Sequence, residues 1–147
     1  MKALALILAL APSALPAQSL SDQLATATNI SFEEWRDLTK GNTVVYEVDG
    51  EIIGYESYLG NGNVTIRLDD GSCIDGTWYM EQSAFCFDWE DGPLNCFHHK
   101  RLKGAIYVVG LDDGFETLDI QKVSRIANIP VACGPALLSA LSTPVSP

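Results

Sequence analysis

The side chains with chemical reach in this chain of 147 residues are four cysteines and one basic run. Cys73, Cys86, Cys96 and Cys133 contain no C-x-x-C, and their spacing does not make a zinc knuckle. They suit disulfides. Cys86 and Cys96 lie symmetrically about Asp91, so a hairpin centred there sets them opposite each other on two strands. Cys73 and Cys133 then form the second pair, closing a long loop and fastening the tail.

The basic run is His98-His99-Lys100-Arg101-Leu102-Lys103. In an acidic protein it reads as a candidate binding patch (His98, His99, Lys100, Arg101, Lys103) for an anion or an acidic partner. A solvated hairpin end accounts for the same cluster, and charge runs are more often solvated faces. Adjacent histidines on a strand point to opposite faces, so they do not share a metal ion, and no metal or other cofactor is expected. Strand alternation puts His99 with Phe85, Phe87, Trp89 and Phe97 on a core face, its ring satisfied by a backbone group. It puts His98 on the face of Cys96.

Other candidates are weaker. Asp69-Asp70, Glu90-Asp91 and Asp112-Asp113 each precede a glycine, which is turn chemistry and not an EF-hand. No G-x-S-x-G elbow and no phosphate-cradling glycine loop occurs, and nothing points to a Ser-His-Asp triad. No catalytic residue is assigned, and the balance is against an enzyme. Ten strand aromatics, from Tyr46 to Tyr107, most simply fill a core, but in a small barrel they also line a cavity at the mouth.

Positioning these residues takes one small domain. Met1-Lys2, the apolar run Ala3 to Ala11 and the small-residue exit to Ala17 have the order of a secretory leader. The reading is a signal peptide over 1–17, a flexible lead-in over 18–30, one β-rich domain over 31–134 and an apolar, proline-rich tail over 135–147. Export, to the periplasm or beyond the cell, agrees with paired cysteines. No membrane span is expected after cleavage. The formal net charge of −10 sets the chain against phosphate backbones, so nucleic acid is excluded as a partner.

Ser31 to Gly41 predicts a short helix, with Ser31 and Glu34 as a capping box and Gly41 at its exit. It should dock Phe32, Trp35 and Leu38 onto something larger. From Thr43, eight runs are bounded by Gly, Asn and Asp turns: 43–48, 51–58, 63–68, 72–79, 84–89, 95–99, 105–109 and 115–120. Connections this short join antiparallel neighbours. The predicted fold is mainly β, an antiparallel meander forming a small lipocalin-like barrel or a curved sheet, with one short N-terminal helix at one end. The region from Val123 reads as an irregular strap.

Trp35-Arg36-Asp37-Leu38-Thr39-Lys40-Gly41-Asn42-Thr43, Asp70-Gly71-Ser72-Cys73, Gly76-Thr77-Trp78, Cys86-Phe87 and Cys96 resemble the motifs of a group of small exported bacterial proteins carrying an uncharacterised β domain. The resemblance runs from about Ser31 to Val109. It implies an exported, cysteine-tied β fold and no activity. The function expected is therefore a non-catalytic binding or interaction module of the cell envelope, meeting a small apolar ligand or an envelope protein. The alternatives are a small exported hydrolase using His98 or His99 as base, and a structural envelope protein without a ligand.

Overall fold

The structure is a computed structural model and describes residues 18–133. The leader over 1–17 and the tail over 135–147 lie outside the described residues.

The order is α1 (Leu20–Ala25), β1 (Thr28–Asn29), α2 (Phe32–Thr39), β2 (Thr43–Val48), β3 (Glu51–Gly60), β4 (Asn63–Leu68), β5 (Cys73–Glu81), β6 (Ala84–Trp89), β7 (Asn95–Leu102), β8 (Ala105–Asp112) and β9 (Phe115–Ala127). Each strand from β2 to β9 pairs antiparallel with the next, and β9 pairs back onto β2. The result is a closed barrel of eight antiparallel strands. β1 adds to β7 at Lys100 and Arg101, beyond the point where β6 leaves that edge.

The turn residues set this register. Asp49-Gly50, Lys103-Gly104 and Asp113-Gly114 have positive φ at both positions, the geometry that joins twisted strands through two residues. Gly76 serves a close approach instead. A Cβ there would stand 2.7 Å from the Trp89 ring and 2.6 Å from the Asp88 carbonyl.

Three expectations need correction. Residues 18–30 are not a loose lead-in. Ser19 and Asp22 make a reciprocal capping box that starts α1, and Leu24 is buried. Glu34 does not close a box at α2. Ser31 Oγ accepts from the Glu34 N–H, but the Glu34 carboxylate turns away to Arg101. Finally, the last strand runs on past Ile120 to Ala127, and residues Lys122–Ala127 close the barrel against β2. A register shift within that pairing breaks the alternation that would have marked it.

α2 plugs one end. Trp35 is fully buried, and Phe32 and Leu38 pack on the same core, as its spacing predicts. Both disulfides join the expected partners. Cys86 and Cys96 are paired across β6 and β7 with Cα atoms 4.1 Å apart. Cys73–Cys133 spans 60 residues. After β9 the chain crosses the outside of the barrel: Thr43 Oγ1 donates to the Ile129 carbonyl at 2.6 Å before Cys133 reaches Cys73 on β5. This strap is tied to β2 at one end and to β5 at the other. No helix among the described residues is long and apolar enough to cross a membrane.

Candidate functional site

A barrel of eight strands has an interior about wide enough to be filled by side chains or to hold one small ligand. In this one, α2 and large rings fill the end reached first by the chain. Trp35, Tyr58, Trp78, Phe85 and His99 pack there, with ring centroids 4.3 Å apart for Trp35 and His99 and 4.4 Å for Phe85 and His99.

The other end is hollow. A cavity of about 250 Å³ opens there. Tyr46, Glu56, Ile66 and Ile74 line it from β2 to β5, and Phe87, Phe97, Val108 and Gln121 from β6 to β9. Every barrel strand thus gives at least one wall residue. Gly92 and Pro93 of the β6–β7 turn stand at its rim, which identifies the mouth. Trp89 stacks on Phe87 at 5.7 Å on one wall.

Glu56 is the one charged side chain among these lining residues, and it is 4 % exposed. Tyr46 Oη donates to its Oε1 at 2.9 Å, and Tyr58 Oη donates to the same oxygen at 2.5 Å. Trp35 Nε1 donates in turn to Tyr58 Oη at 3.1 Å. The plug helix is therefore wired to the cavity floor. Burial raises the Glu56 carboxyl to about 7, and the two tyrosine hydrogen bonds only partly offset this. Tyr46 and Tyr58 are raised well above their ordinary value, by burial first and by the Glu56 charge second, so both remain donors.

The sequence patch does not come together as a surface. His99 points inward and His98 outward, as alternation requires. The backbone partner of His99 is the Phe97 main chain, which it meets only weakly: neither ring nitrogen makes a hydrogen bond of good geometry among the described residues. Burial, helped by His98 and opposed by the Phe97 backbone, lowers it to about 3, so the ring stays neutral. Lys100 is buried under α1 and donates to the Leu24 carbonyl at 2.9 Å. Arg101 pairs with Glu34 and Lys103 donates to Gln23. These cations fasten α1 and α2 to the barrel.

One arrangement escaped the sequence reading. Ser83 Oγ lies 3.3 Å from His98 Nε2, and Glu116 Oε1 lies 2.7 Å from His98 Nδ1. The order is that of a nucleophile, a base and an orienting carboxylate. Ser83 sits just after Gln82, which has a positive φ of 56° in the β5–β6 turn. However, the Lys100 ammonium takes the same Glu116 oxygen at 2.5 Å. Burial pushes the Glu116 carboxyl up, but Lys100 and His98 hold it below its usual range. The neighbouring ammonium offsets the charge with which the carboxylate would stabilise an imidazolium.

A larger hollow of about 690 Å³ lies between α2 and the β3–β4 turn, lined by Phe32, Trp78, Met80, Arg36 and Lys40 among others. Its Arg36 is already paired with Asp37 at 2.8 Å. No group of three or more His, Cys, Asp or Glu among the described residues is placed to hold a metal ion.

No family model, curated protein or solved structure matches this chain.

Proposed function

We propose that this chain is exported, to the periplasm or out of the cell, and acts there as a non-catalytic barrel that binds a small, largely apolar molecule. The leader, the two disulfides and the family resemblance support export. The observation that carries binding is the cavity itself: largely apolar walls to which every barrel strand contributes, with one buried carboxyl at the floor. An engineered cavity of about 150 Å³ holds benzene, so 250 Å³ suits a ligand of roughly ten heavy atoms. Native mass spectrometry of protein recovered from a bacterial periplasm tests this. A defined added mass is expected, and Val108→Phe, which puts a ring into the cavity, should abolish it. An added mass that survives in the filled variant would remove the cavity from the account.

A second reading is a small exported hydrolase with His98 as base, which the Ser83–His98–Glu116 geometry favours. Covalent labelling by a fluorophosphonate that is lost in Ser83→Ala would establish it. An unlabelled wild-type chain would exclude a reactive Ser83.

A further inference from the structure

In an up-and-down barrel, alternate turns fall at the same end. The turns after β2, β4 and β6 therefore share the end of the cavity mouth, marked by Gly92 and Pro93, while the β8–β9 turn folds over the outside of the barrel towards Ser83 and His98. The three turns at the mouth carry Asp49, Asp69-Asp70 and Glu90-Asp91. The opposite end, around α1, α2 and the β7–β8 turn, carries Arg36, Lys40, Arg101 and Lys103 against Asp22, Glu33, Glu34 and Asp37, so its charges balance. The turns at the mouth are acidic with no cation among them.

Such a rim would be only a solvated set of turns without a second feature inside it, and Glu56 is that feature. Both tyrosines donate to Oε1, which leaves Oε2 with no hydrogen-bond partner among the described residues. Oε2 is not among the sealed, unpaired atoms of the interior, so it keeps contact with open space. The layer above Glu56 on β3 is Gly54, which is covered by the Ile66 side chain and adds no polar group to the wall. A carboxylate oxygen is therefore buried, unpaired and open to an apolar cavity.

We infer that the cavity selects a small organic cation, a protonated amine on an apolar body, with the ammonium on Glu56 Oε2 and the acidic turns drawing it in. This rests on the binding reading above and adds the charge of the ligand. The rim raises the local concentration of cations and repels anions. The floor supplies a charge-assisted hydrogen bond to a buried carboxylate. The apolar walls give no other charged partner, so an anionic ligand of the same shape would face Glu56 uncompensated. The groups that face Glu56 do not compete: Tyr46 and Tyr58 keep their protons, Gln121 is neutral, and His99, behind Trp35, is uncharged. Since Glu56 titrates near neutrality, amine binding should release a proton and strengthen as pH rises through that range.

Three probes of one shape test this on the full chain by calorimetry at low salt and about pH 8: 2-phenylethylamine, 2-phenylethanol and phenylacetate. The amine should bind at least about tenfold more tightly than the alcohol, and phenylacetate most weakly. Glu56→Gln should bring the amine down to about the level of the alcohol. In wild type near neutral pH, amine binding should release protons, read from the heats in buffers of different ionisation enthalpy. If the alcohol binds wild type as well as the amine does, or if Glu56→Gln keeps the preference, the cation inference fails and the cavity reading stands. If no probe binds wild type any better than Val108→Phe, the cavity reading itself fails and takes this inference with it. Should Glu56→Gln not fold, the probe order and the proton release in wild type decide alone.

Discussion

Replacing Glu56 by glutamine should stabilise the protein relative to wild type by an amount that grows as pH rises. The carboxyl has an ordinary value of 4.5 and is raised to about 7 in the barrel. One pKa unit corresponds to about 1.4 kcal/mol, so the shift amounts to roughly 3 kcal/mol. Because the folded value is raised, the folded protein holds the proton more tightly than the unfolded chain. Its stabilising effect is complete below the unfolded value and is lost as pH climbs from 4.5 through about 7. Glutamine carries no such proton, and its carbonyl can still accept from Tyr46 and Tyr58. The stability of Glu56→Gln relative to wild type should therefore grow by roughly 3 kcal/mol between about pH 4 and pH 8. His99 acts in the opposite direction over part of this range, but it is common to both proteins and cancels in the difference. Urea unfolding with the disulfides intact, at a series of pH values and with equal m-values, measures it. A difference that stays constant with pH, or that shrinks as pH rises, would refute a buried carboxyl held in its neutral form.

Three further outcomes follow from other parts of the barrel. His99 is lowered from 6.5 to about 3, so it costs stability as pH falls from 6.5, and His99→Leu should remove that acid-side slope in the same urea series; an unchanged slope would mean that the ring accepts a proton in place. Loop lengths of 60 and 10 residues make the Cys73–Cys133 bond worth about 4 kcal/mol and the Cys86–Cys96 bond about 3 in the chain-entropy view. Double serine variants should lose stability in that order on urea titration, and the reverse order would show that loop entropy does not set the two contributions. Lys100→Met breaks the tie between β7 and the Leu24 carbonyl, so amide exchange over residues 20–25 should rise about tenfold or more while the barrel strands stay protected. Equal protection would place the hold on α1 elsewhere, in Leu24 packing.

Much of the architecture was legible because it is written in local chemistry. Asp-Gly and Asn-Gly pairs tolerate the positive φ of tight hairpins, and the runs between them are too short to connect in any way but antiparallel. The spacing of Cys86 and Cys96 about Asp91 is a register, so their bond could be read from the chain. So could the opposite faces of His98 and His99. Trp35, Phe32 and Leu38 announced a docking helix by helical spacing.

What tertiary structure decided is everything that depends on which strand ends meet. Closure needed β9 to run on to Ala127 beside β2, a pairing set by a partner some eighty residues away and hidden by a register shift. The basic run looked like one patch. The fold spends its members separately, on the core, on α1, on α2 and on Glu116. Glu56 stood unnoticed between Tyr55 and Ser57, because β3 offers an aromatic residue to each face and its alternation does not say which face is inside. Only the closed barrel turns Glu56 inward beneath two tyrosines and gathers three acidic turns at one mouth. Local sequence fixes turns and faces through φ, ψ and period; burial and long-range charge depend on distances that exist only once the ring of strands has closed.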